Sequence, residues 1–321
     1  MADVCQRAAG TGFRDRLRQI WSELEAVRAE SEYGNDEGGS IEQQRDRRLQ
    51  FHHCANYAAV LMLLSELGPG LRLLELGCGS GALSYAMART MPAGWSLVAT
   101  DYSESLLGRA RARFRLDGLR FERLDARETE PGRLADVDAV FLLEVIEHLP
   151  RPGAAAMLHR LYESMRPGAR LIITTLDRAP FPRTFSGFAP HHVEYTHESL
   201  MRFLADGSNN PFERYRVYRI SSARIARESV RAEQQGGYFV NVVQRFVLGM
   251  SSRWASVDRM RAWTMTRLLR AYAAFPRDGR FDFEDYLSTV DFVRTNPEEH
   301  DHDSFSLVAE LSKAPDGQRG S

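Results

Sequence analysis

"LRLLELGCGSGALS", residues 71–84, is the stretch from which the fold can be read. Leu71, Leu73, Leu74 and Leu76, with Glu75 just before the end of the run, have the character of a buried strand. Gly77, Gly79 and Gly81 follow at alternate positions, and Ala82-Leu83-Ser84 can open a helix. Glycine is needed where φ turns positive or where a ligand lies against the backbone, and a helix start offers unpaired N–H groups to a polar ligand. A strand, a tight turn and a helix start in this order point to a nucleotide-like cofactor. Cys78, inside the turn, reads as a small filler of a tight space rather than as a nucleophile.

Upstream of this stretch, residues 12–31 place Phe13, Leu17, Ile20, Trp21, Leu24 and Val27 at spacings of three and four, an amphipathic helix. A polar, glycine-rich linker, "SEYGNDEGGS" (31–40), separates it from a second helix over 41–67, which Gly68-Pro69-Gly70 stops. These helices are expected to cover one side of the sheet that follows, with a second role as a flap over the cofactor. His52 and His53 have no acidic partner at helical spacing and read as core or solvated histidines.

Downstream, strands are expected at 71–76, 96–99, 119–123, 139–143 and 170–175, alternating with helices at 82–90, 103–114 and 154–165. Such alternation implies a parallel sheet with helices on both faces, whose ligands lie beyond the C-terminal strand ends. Asp101, after the second strand, can accept hydrogen bonds from two ribose hydroxyls, and Asp125, after the third, from an adenine amino group, with the backbone of Ala126 at the ring edge. Gly77, Gly79 and Ala82 also satisfy a loose G-x-G-x-x-A, so the glycine loop alone leaves a dinucleotide open.

Taken together, "LLELGCGSG", "ATDYS", "RLDAR", "LLEVIEHLPRPG" and "RPGARLIITTLD" resemble the class I S-adenosylmethionine-dependent methyltransferases over residues 71–177. The resemblance implies an α/β, doubly wound, mostly parallel seven-stranded Rossmann-like sheet with an antiparallel last strand at 305–311. It places Glu75, Gly77 and Gly79 around the methionine portion of S-adenosyl-L-methionine, Asp101 at the ribose, and Asp125 and Ala126 at the adenine, with Tyr102 also a cofactor-binding residue. Glu144 would lie beside the sulfonium and the acceptor. The implied organisation is an N-terminal helical cover (1–70), a cofactor-binding core (71–225 and 304–313), a helical lid inserted at 226–303 after a sixth strand at 214–220, and a flexible tail (314–321).

Methyl transfer needs an acceptor lone pair held in line with the methyl group and a base for any proton the acceptor carries. Two clusters offer bases: Glu144, Glu147 and His148 in "EVIEH", and His191, His192 and Glu194 in "FAPHHVEYTHESL". His191, His192 and Glu144 are the candidates for catalysis. Either Glu144 touches the cofactor while Glu147 and His148 only cap and orient the loop, or Glu144, Glu147, His148 and His191 form a donor set suited to Mg²⁺ or Mn²⁺. E-x-x-E-H followed by H-x-x-E-aromatic-T resembles the metal-dependent small-RNA 2′-O-methyltransferases, with His191, Glu194, Tyr195 and Thr196 matching the second segment. A similar E-x-x-E-H occurs in ubiquinone-pathway O-methyltransferases.

Bulk properties narrow the acceptor. The chain has 321 residues, 43% of them hydrophobic, with a net charge of −1, so a general affinity for nucleic acid or membrane surfaces is not indicated. Three cysteines without close spacing indicate neither a disulfide framework nor a zinc knuckle. No apolar run reaches the ~20 residues of a membrane span, and residues 1–20 lack an apolar signal core, so a cytoplasmic protein is expected. Residues 277–303 carry nine acids against three arginines, a solvated face that would favour a cationic aminosugar if it turned toward the pocket. The leading expectation is N- or O-methylation of an aminoglycoside-like small molecule, as in antibiotic or other natural-product biosynthesis. The alternatives are a metal-dependent RNA 2′-O-methyltransferase, disfavoured by the charge, and a non-catalytic cofactor-binding scaffold.

Overall fold

The computed structural model describes residues 2–30, 47–130, 132–188, 190–234, 242, 281–295 and 303–314. Within them, β1 (Arg72–Leu76), β2 (Ser96–Asp101), β3 (Leu119–Arg123), β4 (Ala139–Leu143), β5 (Arg170–Leu176), β6 (Arg214–Ser221), β7 (Asp291–Arg294) and β8 (Ser304–Ser312) form one sheet. The helices are α1 (Ala2–Glu30), α2 (Arg47–Leu64), α3 (Ala82–Thr90), α4 (Glu104–Arg113), α5 (Arg151–Ser164), α6 (His197–Ala205), α7 (Ala223–Ala232) and α8 (Phe283–Thr289).

The strands run in the order β3-β2-β1-β4-β5-β8-β6-β7. β1 to β5 pair in parallel, and β8 lies antiparallel between β5 and β6. Strands covered on both faces must be apolar throughout, and β4, "AVFLL", is buried at all five positions. One face of the sheet carries a core drawn from α1, α2, α3, α4, α7 and α8, and the other a core from α5 and α6. The chain reverses its direction of travel across the sheet between β1 and β4, and this opens a crevice beyond their C-terminal ends.

Local chemistry explains the helix boundaries. Ser103 caps α4 by accepting the Leu106 N–H, Ser222 caps α7 through the Ile225 N–H, and Thr196 and Ser199 cap α6 reciprocally. α5 starts at Arg151, earlier than expected, because Pro152 falls in the first turn, where its missing N–H costs nothing.

The sheet has eight strands where seven were expected. The additional one, β7, pairs antiparallel with β6 and falls inside the segment read as a lid. Phe292 explains its placement, since its ring stacks on Tyr218 of β6 at 5.1 Å and on Phe13 of α1 at 5.4 Å. The acids around it go to arginines: Asp291 to Arg14, Glu284 to Arg18 and Asp285 to Arg224. Residues 226–232 of the expected lid belong to α7, and 235–241, 243–280 and 296–302, the 31–40 linker and the tail beyond Ala314 lie outside the described residues.

Candidate active site at the carboxyl ends of the strands

The glycine turn is folded down onto the end of β2. Gly77 and Cys78 donate their N–H groups to Thr100 O at 2.7 and 2.8 Å, and Gly79 N donates to Asp101 Oδ2 at 3.0 Å. Asp101 Oδ1 accepts from Ser103 N at 2.8 Å, so this buried carboxylate is fixed from both sides beside the loop. A Cβ built on Gly79 would meet nothing within 4 Å, which leaves open space against the loop at Asp101. Tyr102, next in the chain, is 67% exposed at the rim of that space.

Glu75 is buried at the end of β1 and accepts a hydrogen bond from Tyr57 Oη of α2. Burial pushes its pKa up to about 7, against the pull of the Ser84 and Tyr57 hydroxyls. Asp125 is gripped by Arg127, whose Nε and Nη2 donate to Oδ1 and Oδ2 at 2.9 and 2.6 Å. That guanidinium holds the carboxyl below its ordinary range, and Asp125 reaches the expected adenine position already carrying a partner. Ala126 opens the short 3₁₀ turn that follows, and Leu124 N, donating to Asp101 O at 3.2 Å, pins the segment to β2.

At the end of β4, Glu144 is the one non-glycine among the described residues with a left-handed φ, 57°. A residue in that region costs about 1–2 kcal/mol, and the conformation persists where surrounding contacts fix it. Here its N–H donates to Thr174 O at 3.1 Å. Its Oε1 receives Asn56 Nδ2 at 3.0 Å and Thr174 Oγ1 at 3.2 Å, with His52 Nε2 at 3.4 Å. Burial opposes the Glu144 charge, but the contact with His52 outweighs it and holds the pKa low.

Glu147, fully buried, is pushed the other way, first by burial and then by the Glu144 carboxylate. Its Oε2 accepts from Thr175 Oγ1 at 3.1 Å, and its Oε1 has no hydrogen-bond partner. The two carboxyls are thus pushed in opposite directions, Glu144 toward the ionised form and Glu147 toward the protonated one.

The loop after β5 folds back onto this turn, with His192 N and Val193 N donating to Glu147 O at 2.8 and 3.2 Å. It sets His191 against His148, ring centroids 4.9 Å apart. His148 Nδ1 faces Pro190 O at 3.2 Å and His191 Nδ1 faces Glu194 Oε1 at 2.6 Å. Both partners accept hydrogen bonds, so each Nδ1 donates and each Nε2 keeps its lone pair in the neutral ring, the arrangement of a metal-ligating histidine.

Ligand atoms of Glu147, His148 and His191 all lie within 4.8 Å of one another. Of the four metal ligands expected, these three are brought together, whereas Glu144 is turned to α2. His192 contributes its backbone to the turn and exposes its side chain. The orphaned Glu147 Oε1 and the two free Nε2 atoms make a donor set that fits Mg²⁺ or Mn²⁺.

Sequence reasoning missed the contribution of α2. His52 and Asn56 meet Glu144 at the end of β4, 88 residues beyond Asn56, and Tyr57 meets Glu75 at the end of β1, 18 residues on. The signal that could have found them is the polar stripe Arg48, His52, Asn56 at four-residue spacing in an otherwise apolar helix. His53, pushed down to about 4 by burial and by its neighbour His52, stands as a neutral imidazole.

Residues 74–171 match a family model described as a methyltransferase domain. A ubiquinone biosynthesis O-methyltransferase of Aeromonas salmonicida is 34% identical over 113 residues, which are 35% of this chain and 45% of the relative. The protein of that description from Ruegeria pomeroyi is 36% identical over 115 residues, 35% of this chain and 43% of its own. The chain thus spans less than half the length of these two curated relatives. Among solved structures, Haemonchus contortus phosphoethanolamine N-methyltransferase 2 in complex with S-adenosyl-L-methionine aligns at a TM-score of 0.45 and 16% identity, over 80% of this chain and 52% of that one. The matched span runs from β1 into β5 and carries Glu75, the glycines, Asp101, Asp125 and Glu144–His148, while α2 and His191 lie outside it.

Proposed function

We propose that this chain, whose residues 74–171 match a methyltransferase-domain model, is a class I S-adenosylmethionine-dependent methyltransferase that transfers a methyl group from S-adenosyl-L-methionine to an oxygen of a polar small molecule, next to a bound divalent cation. The observation that carries this reading is the grouping of Glu147, His148 and His191, with one orphaned carboxylate oxygen, beside Glu144 in the crevice between β1 and β4. Asp101 would hold the ribose, Tyr102 and the Asp125–Ala126 segment would border the adenine, and Glu75 would face the methionine ammonium. Mg²⁺ or Mn²⁺ held by Glu147, His148 and His191 would supply Lewis acidity toward an acceptor hydroxyl. Glu144, held by Asn56 and His52 of α2, would serve as a proton acceptor for that hydroxyl.

The oxygen preference draws on the O-methyltransferases among the relatives. An aminoglycoside-like acceptor rested on the acidic run at 277–303. Of its described acids, Glu284, Asp285 and Asp291 pair with Arg18, Arg224 and Arg14, and Asp282 caps α8, so these four offer little charge to a cationic acceptor. Among the described residues no helix is long and apolar enough to cross a membrane.

The test is Mn²⁺ binding by the full chain, followed by electron paramagnetic resonance, alongside calorimetry with S-adenosylhomocysteine. One tight Mn²⁺ site is expected, weakened at least about tenfold in His191→Ala and in Glu147→Gln, with the homocysteine compound still bound. Mn²⁺ binding unchanged in both variants would sink the cation. Formation of S-adenosylhomocysteine against a panel of hydroxylated and aminosugar acceptors, and against RNA, then identifies the acceptor class.

Glu75 makes cofactor binding depend on pH. Its folded pKa of about 7 lies above the ordinary carboxylate value, so its contribution to stability is complete below about pH 4.5 and is lost as pH rises through 7. The loss is on the order of 3 kcal/mol. A cationic ammonium needs the ionised form. Binding of S-adenosylhomocysteine should therefore release close to one proton at pH 6 and almost none at pH 8, read by calorimetry in buffers of different ionisation enthalpy.

A further inference from the structure

Arg178 lies two residues beyond β5, with its side chain 1% exposed. Its Nη1 and Nη2 donate to Glu233 at 2.7 and 3.2 Å, Nη2 also donates to Arg183 O at 2.7 Å, and the guanidinium carbon lies 4.0 Å over the Phe181 ring. The remaining edge of the fork sets Nε 3.2 Å from Glu194 Oε2. Glu194, whose carboxylate is fully buried, also accepts Ser186 N at 2.8 Å, the Ser186 hydroxyl, and His191 Nδ1 at 2.6 Å.

A carboxylate this deep stays charged only if its surroundings outweigh desolvation. Here hydrogen bonds from His191 and Ser186 and the charge of Arg178 do so, and the Glu194 pKa is lowered. A planar guanidinium fixed along one edge by Glu233 presents its other edge in a single direction. Glu233, Arg178, Glu194 and His191 therefore form one continuous chain of contacts, from the end of α7 to the imidazole.

We propose that Arg178 is a positioning residue for His191: locked by Glu233, Arg183 O and Phe181, it holds the Glu194 carboxylate in the orientation that accepts the His191 Nδ1–H and keeps the Nε2 lone pair free. Removing its fork leaves two buried carboxylates without their common cation. Glu194 is then free to turn away from His191 Nδ1, and the imidazole is no longer bound to one tautomer. The significance for catalysis rests on reading Glu147, His148 and His191 as a cation site, but the tautomer of His191 does not.

Arg178→Lys tests this, because it keeps the charge while a single ammonium cannot reproduce the fork. In the full chain, long-range ¹H–¹⁵N correlation should show His191 as the Nδ1–H tautomer, with His191→Gln identifying the signal. Arg178→Lys should give mixed tautomers and an about tenfold loss of Mn²⁺ affinity, as Glu194→Gln should, with S-adenosylhomocysteine affinity retained. Should Arg178→Lys fail to fold, Glu233→Gln loosens only the far end of the clamp and is read in the same way. A wild-type tautomer with wild-type Mn²⁺ affinity in the folded variant would overturn the proposal. A parent protein that binds S-adenosylhomocysteine but not Mn²⁺ removes the cation, and the tautomer comparison then decides the role of Arg178 alone.

Discussion

Asp101→Ala should weaken S-adenosylhomocysteine binding at least about a hundredfold, roughly 3 kcal/mol. Its carboxylate serves twice. In the proposed site it would accept from two ribose hydroxyls, each worth about 1.5–3 kcal/mol to a charged group, and it anchors the loop by accepting Gly79 N and Ser103 N. Alanine removes both contributions, so the loop loosens as the ligand loses its partner. Asp101→Asn, which keeps one acceptor oxygen, should lose less. Calorimetry measures both variants, and a protein that bound NAD tightly while ignoring the homocysteine compound would refute the cofactor assignment.

Gly81→Ala should destabilise the fold by about 3 kcal/mol, a fall in Tm of at least about 6 °C. Gly81 is the left-handed N-cap of α3 at φ 77°, and a Cβ there would lie 2.6 Å from the Phe121 ring and 3.0 Å from Ala110 Cβ. Gly79→Ala should behave oppositely. Its φ of 56° is also left-handed, but its Cβ would meet no protein atom, so stability should fall by only about 1–2 kcal/mol while cofactor affinity collapses. Thermal melts and S-adenosylhomocysteine titrations on the two variants separate a glycine required by packing from one required by the ligand.

What could be read from the sequence is what local physics dictates. β1, β4 and β5 announce themselves because strands covered on both faces must be apolar, and β8 because its length carries it across the sheet. Glu147 and His148 lie on the short turn that follows β4, whereas His191 reaches them because the long loop after β5 folds back onto that turn. β7 could not be read: four residues in an acid-rich segment are a strand only because Phe292 finds Phe13 and Tyr218. The Asp125–Arg127 pair escaped notice because residues two apart face each other only in the tight turn that follows β3. Tyr57 and His52 escaped because an acid contributed from across the fold leaves no periodicity in their own helix.

The bond between α1 and the strip formed by α8 and β7 also bears on how the chain is made. Arg14 donates to Val290 O across a sequence separation of 276, and Trp21 stacks on Phe283 at 4.8 Å. During synthesis, α1 leaves the ribosome long before these partners exist. Its aromatic side, Phe13 and Trp21, stays partly uncovered until residue 292 has been added. The nascent core can assemble from β1 to β5 in order, but its first helix is sealed in place among the last, making the outermost layer of this face a late and vulnerable step in biogenesis.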